Sequence, residues 1–169
     1  MVAWITSLVS GLSPEMATVL LAMLPVGELR LSMPIALTVF DLSPAAAFAY
    51  SYLGNTIPLI IVYLFLPSLL KFATTHSPWL KHVMDDYFLS LERQHKEKYD
   101  RYGRILIMLF VAVPIPGSGV WTGAILSILF GIEKSYAIPA ILVGLAIAGV
   151  IVLLITQGTL GALNFLLAT

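Results

Sequence analysis

Two charged residues stand where the sequence is otherwise apolar. Glu28 and Arg30 lie inside the run from Pro14 to Asp41, and at membrane depth each costs several kcal/mol unless it is paired or placed in a wet cavity. An acid and a cation side by side offer proton exchange on the carboxylate and anion binding on the guanidinium. Residues two apart do not face each other on a regular helix. The pair can share a site only where the backbone unwinds, and Pro25 and Gly27 lie just ahead of it. The competing reading is structural: an ion pair that pins a turn, or two side chains reaching for an interface. Asn55 joins them as a candidate member of a substrate or proton site. Ala47, Ser51 and Asn55 recur at four-residue spacing and put a small, partly polar stripe on one helix face.

A second candidate region works through backbone. Pro114-Ile115-Pro116-Gly117-Ser118-Gly119 cannot continue a regular helix. Gly117 and Gly119 permit close approach of a ligand, and a helix starting near Val120 would direct its free N–H groups at an anion. A tightly packed structural kink explains the same residues equally well. Trp121 suits an interfacial anchor better than a stacking platform. The residues assigned to the two breaks are Pro25, Gly27 and Pro34 in the first, and Pro114, Pro116, Gly117, Ser118, Gly119, Trp121 and Gly123 in the second.

Enzymatic chemistry finds little to work with. The chain has no cysteine, and His76, His82 and His95 all fall in the polar middle rather than in the broken segments. No HExxH spacing occurs, no metal or other cofactor is implied, and Ser118 has no histidine or lysine in the apolar segments to activate it. A non-enzyme is expected.

The elements that must position these residues are set by an apolar composition. Of the 169 residues 59% are hydrophobic and 11% charged, with a mean hydropathy of +0.97, whereas a soluble domain carries roughly 25% charged residues. The cations cluster at Lys71, Lys81, Arg93, Lys96, Lys98, Arg101 and Arg104, which divides the chain into apolar, polar and apolar parts. One all-α integral membrane domain over residues 1–169 is expected, because the polar stretch is too short to bury its own core. Met1 to Ser13 lacks the basic start of a cleavable signal and reads as an interfacial helix. Ser-Pro pairs at Ser13, Ser43 and Ser77 mark helix starts. Glu15–Leu24 and Leu31–Phe40 read as half-helices around a break, each roughly 15 Å long against a ~30 Å hydrocarbon core.

Ala45–Leu66 is long enough to span, with Pro58 as a kink. Residues 71–104 read as a polar amphipathic helical segment, with Glu92, Glu97 and Asp100 each four residues before a cation. Ile105–Phe130 repeats the broken design and Tyr136–Thr156 makes a second span, where Ala140, Gly144 and Ala148 form a small-residue stripe. Gly158–Thr169 is too short to cross again. Two repeats therefore emerge, each an interfacial helix, a broken re-entrant hairpin and a full span, with residues 1–70 as the first and 105–169 carrying the second hairpin and span. One span per half inverts the second copy. The cations place residues 71–104 in the cytoplasm.

The runs Pro25-Val26-Gly27-Glu28-Leu29-Arg30, with Pro34 and Ala36, and Pro114-Ile115-Pro116-Gly117-Ser118-Gly119-Val120-Trp121-Thr122-Gly123 resemble the small multidrug export protein family of prokaryotic membrane proteins over nearly the whole chain. That family is similar to the DedA, or VTT-domain, superfamily. The resemblance implies two facing re-entrant hairpins, movement of lipids such as polyprenyl phosphates or dependence on the proton motive force, Glu28 and Arg30 as the charged site, and Pro116-Gly117 as the second break. DedA proteins commonly carry arginines beside the second Pro-Gly. Here Val113 and Gly119 stand there, leaving Arg30 as the deep cation.

These features together lead to a multi-pass transporter or lipid translocase of the prokaryotic cytoplasmic membrane. It would move a small anionic amphiphile with possible proton coupling, have membrane lipid as its partner, form a homodimer and bind no nucleic acid. The alternative is a non-transporting scaffold that organises lipid or recruits a partner through residues 71–104.

Overall fold

The computed structural model describes residues 11–77, 82, 96–115 and 117–168. Among these residues the protein is all-helical. Six helices follow in order: α1 (Pro14–Met23), α2 (Glu28–Thr38), α3 (Pro44–His76), α4 (Lys96–Ala112), α5 (Val120–Leu129) and α6 (Lys134–Ala168). The expected interfacial helix at the N-terminus, most of the polar segment and Pro116 lie outside the described residues.

The helix starts expected at Ser13 and Ser43 obey their sequence signals, whereas the one expected at Ser77 falls at the edge of the described residues, with Pro78 outside them. Ser13 caps α1 by accepting from the Met16 N–H at 3.4 Å, and Ser43 does the same for the Ala46 N–H at 3.3 Å. Proline at the next position gives up no helical bond in either case. α1 ends at Met23, and α2 begins four residues after Leu24, whose carbonyl accepts from the Glu28 N–H at 3.2 Å. The expected first break is therefore present, over residues 24–27.

Pro34 is not part of it. α2 runs through this proline, which costs only the bond from position 34 to the Arg30 carbonyl, while Met33, Ile35 and Ala36 are buried on either side of it. Tertiary packing outweighs one missing bond. The second break spans residues 113–119, and Trp121 and Gly123 fall outside it, within α5. Gly123 is there for close packing: a Cβ at this position would lie 2.6 Å from Val111 Cγ2 on α4.

Both long helices exceed their expected spans. α3 has 33 residues and α6 has 35, about 50 Å each at ~1.5 Å per residue. α3 passes Pro58 and Pro67 without ending, and its last turn is held by Thr75 donating to the Lys71 carbonyl at 2.7 Å and by His76 Nδ1 2.9 Å from the Phe72 carbonyl. Gly158–Thr169, expected as a separate piece, continues α6 as far as Ala168. These two helices alone are long and apolar enough to cross a membrane among the described residues.

Contacts divide the chain into two compact units. One comprises residues up to Asn55 together with those from Ala148 onward, and the other comprises Thr56–Ile147. In the first, Gly54 of α3 packs on the Val19 carbonyl and on Ala22 of α1, and Gly149 of α6 lies against Phe48 and Leu29. In the second, Gly144 of α6 packs on the Met108 carbonyl and Val111 of α4, and the Tyr63 and Ser127 hydroxyls meet at 2.6 Å.

The same features recur about 90 residues apart. Met23 and Ala112 end the first half-helices, Pro44 and Lys134 begin the long ones, and Gly54 and Gly144 make the close approaches to Val19 and Met108. Left-handed backbone marks matching places too: Glu28 (φ 49°) and Gly117 (φ 86°) at the breaks, Asp41 (φ 51°) and Gly131 (φ 64°) after α2 and α5.

Candidate functional site

The first unit contains a polar ladder between α2 and α3. Five residues connect these helices, so they run antiparallel as neighbours. Ser32 Oγ donates to Ser51 Oγ at 2.9 Å, with both side chains fully buried. This bond fixes the register. One helical turn toward the connection, Ala36 opposes Ala47. One turn away from it, Glu28 stands at the level of Asn55. All six residues are buried, Glu28 at 6% exposure and Asn55 at 0%. Small residues let the helices close together near the connection, and the polar pairs lie at the broken end.

Glu28 sits there in an unusual backbone. It is the first residue of α2 yet has φ 49°, a left-handed conformation that costs an L-residue about 1–2 kcal/mol. The preceding Gly27 has no space beside it, because a Cβ there would lie 2.6 Å from Leu31. Arg30 is half-buried and its charge is coupled electrostatically to Glu28. Acid and cation thus stand on either side of Leu29 at the start of α2, and the charge of Glu28 acts on Arg30. Beside them, Pro25 is exposed and Val26 is 94% exposed. Asn55 behaves differently. Neither its Nδ2 nor its Oδ1 has a hydrogen-bond partner, although both are buried.

In the second break the polar side chain serves the backbone. Ser118 Oγ donates to the Val113 carbonyl at 2.7 Å and lies 2.9 Å from the Ile115 carbonyl, while the Ser118 N–H bonds the Ile115 carbonyl at 3.2 Å. These bonds take up carbonyls left over where α4 ends. Gly117 is exposed with open space where a Cβ would go, and Gly119 caps α5 without a side chain. The two breaks thus differ chemically: the first holds an acid and a cation, the second only hydroxyl and backbone groups.

A family model described as "Putative small multi-drug export protein" matches residues 28–151. The chain belongs to that family. The match begins at Glu28 itself and takes in Arg30, the Ser32–Ser51 ladder, Asn55, the second break and the first half of α6. No curated protein and no solved structure matches the chain. Membership and the two long apolar helices make it a membrane protein.

The fold places Glu28, Arg30 and Asn55 in the same unit. Pro114, Gly117, Ser118 and Gly119 lie between α4 and α5. Ser32 also belongs to this site, and its spacing of four from Glu28 and its mid-helix polarity between Leu31 and Met33 are the sequence signals for it. The meeting of the Tyr63 and Ser127 hydroxyls has no sequence signal, since a pairing across 64 residues leaves no local pattern. A groove of about 240 Å³ in the second unit was equally hidden: its walls include Met108, Pro139 and Val143, with Arg104, Ser135 and Tyr136 at one end. The Arg104 guanidinium lies 5.5 Å from the Tyr136 ring centroid, within cation–π range.

Proposed function

We propose that the protein is a membrane transporter that moves a small anionic amphiphile, such as a lipid phosphate, in exchange for protons. Arg30 binds the anionic group and Glu28 carries the proton. The two broken segments act as re-entrant hairpins of opposite direction, which makes the recurrence at about 90 residues an inverted repeat. Residues 71–104 face the cytoplasm of a prokaryotic cell, and two copies of the chain supply the walls of the pathway.

The observation that carries this reading is the buried, left-handed Glu28 at a helix break, coupled to Arg30 and level with Asn55. A carboxylate at membrane depth is costly to keep, and backbone strain of this kind persists where the surroundings enforce it, commonly at functional sites. Membership of the export family agrees with transport. The Arg104 groove, cationic at one end and apolar along its walls, suits an amphiphile more than a polar solute.

The test uses single cysteines in this cysteine-free chain. Cysteines at the exposed Val26 and Ile115 are labelled with a membrane-impermeant reagent from either side of oriented vesicles. Val26→Cys is expected to react only from outside and Ile115→Cys only from the cytoplasmic side. Reaction of both from the same side would sink the opposed-hairpin arrangement. Arg30→Ala should then abolish transport with insertion intact, and retained transport would remove Arg30 from the anion site.

A further inference from the structure

Asn55 presents an unfilled requirement. A fully buried carboxamide with all its hydrogen-bonding atoms unpaired loses about 1–3 kcal/mol of solvation per group without return. The partner that would complete it must accept from Nδ2 and donate to Oδ1 at once. A metal cation meets only the oxygen, and a carboxylate only the nitrogen. The hydroxyls one turn away are already engaged with each other, Ser32 with Ser51. The group at the level of Asn55 on the facing helix is Glu28.

We propose that Asn55 is the hydrogen-bond partner of Glu28 in its protonated state. The neutral carboxyl donates its O–H to Asn55 Oδ1 and accepts from Asn55 Nδ2 on its carbonyl oxygen, forming a cyclic pair of two hydrogen bonds. In the ionised state the carboxylate has no proton to give, stays under the attraction of Arg30, and leaves Asn55 unfilled. The proton comes from hydronium reaching the break, where Pro25 and Val26 are exposed: one O–H bond breaks there, leaving water, as one forms on Glu28. The step also frees Arg30 from its counter-charge. Protonation thus moves one side chain between two partners on opposite helices.

The other titratable groups of this unit do not compete for the position. Among the described residues they are Glu15 in the first turn of α1, Asp41 after α2, and Tyr50 and Tyr52 on α3, with none on α6 from Ala148 onward. Glu15 and Asp41 lie at helix ends remote from the break. Tyr50 and Tyr52 are offset by one residue from Ser51, off the face that carries Ser51 and Asn55.

This inference rests on reading Glu28 as the proton-exchanging group, and the test separates the two. The full-length protein is titrated in lipid nanodiscs by infrared difference spectroscopy, with Glu28→Gln identifying the carboxyl C=O band of Glu28. In Asn55→Leu that band should move to higher frequency, as for a carboxyl without hydrogen bonds. It should also appear only at lower pH, by about one unit, the worth of a net hydrogen bond to the neutral form. Asn55→Ala gives the same reading if leucine is not accommodated. A band unmoved in frequency and pH by either variant overturns the pairing while leaving Glu28 a proton carrier. A band absent from the wild type at every pH overturns both readings together.

Discussion

Glu28 combines two costs at one residue: a left-handed φ of 49° and a side chain only 6% exposed. The matching position in the second break is Gly117, where φ 86° strains nothing. Replacing Glu28 by glycine should therefore raise thermal stability, with relief of the left-handed penalty contributing about 1 kcal/mol, while removing the proton-exchanging group and with it transport. A variant less stable than the wild type in a thermal melt would mean that the carboxylate holds the break together. Of this site, the chemistry was legible in the sequence because charged residues in apolar runs are conspicuous at any fold. The ladder was not. That Ser32 meets Ser51 and that Glu28 shares a level with Asn55 depend on how far two helices slide past each other, and that register is visible only in the fold, not in any motif.

At the level of elements, the two breaks and the helix starts were readable because proline lacks an N–H and serine supplies a cap, effects that act within one turn. Pro34, Trp121 and Gly123 misled for the complementary reason: their neighbours in space decide their role. Proline is tolerated where Met33, Ile35 and Ala36 are packed, and Gly123 serves contact with Val111. The same distinction yields a prediction. Alanine at Gly54 or Gly144 sets a methyl against a backbone carbonyl, of Val19 or Met108 respectively, which cannot step aside, whereas alanine at Gly149 meets the edge of the Phe48 ring, which can rotate. Gly54→Ala and Gly144→Ala should each cost about 1–3 kcal/mol, as overpacking does, and Gly149→Ala less, as read by thermal unfolding in one detergent. A reversed order would place the rigid contacts elsewhere. The connections carry a matching pair: Asp41→Gly should stabilise and Gly131→Ala should destabilise, each by about 1 kcal/mol, since both positions are left-handed.

Across the whole molecule the contacts cut through both long helices rather than between the repeats read from sequence. The unit of the first break needs α6 from Ala148 onward, where Gly149 meets Phe48 and Leu29. The unit of the second needs α3 from Thr56 onward, where Tyr63 meets Ser127. Sequence periodicity could not reveal this division, because a continuous apolar helix of 33 or 35 residues shows no internal boundary. It follows that neither side of a cut between residues 77 and 96 contains a complete unit, since each unit draws on both fragments. A protease site inserted in that interval and cleaved after folding should leave the fragments co-migrating on size exclusion in detergent, held by both sets of contacts. Either fragment expressed alone should fail to accumulate, and coexpression should restore both. Separation of the cleaved fragments would show that each half folds alone, and the division of the chain would then follow its repeats.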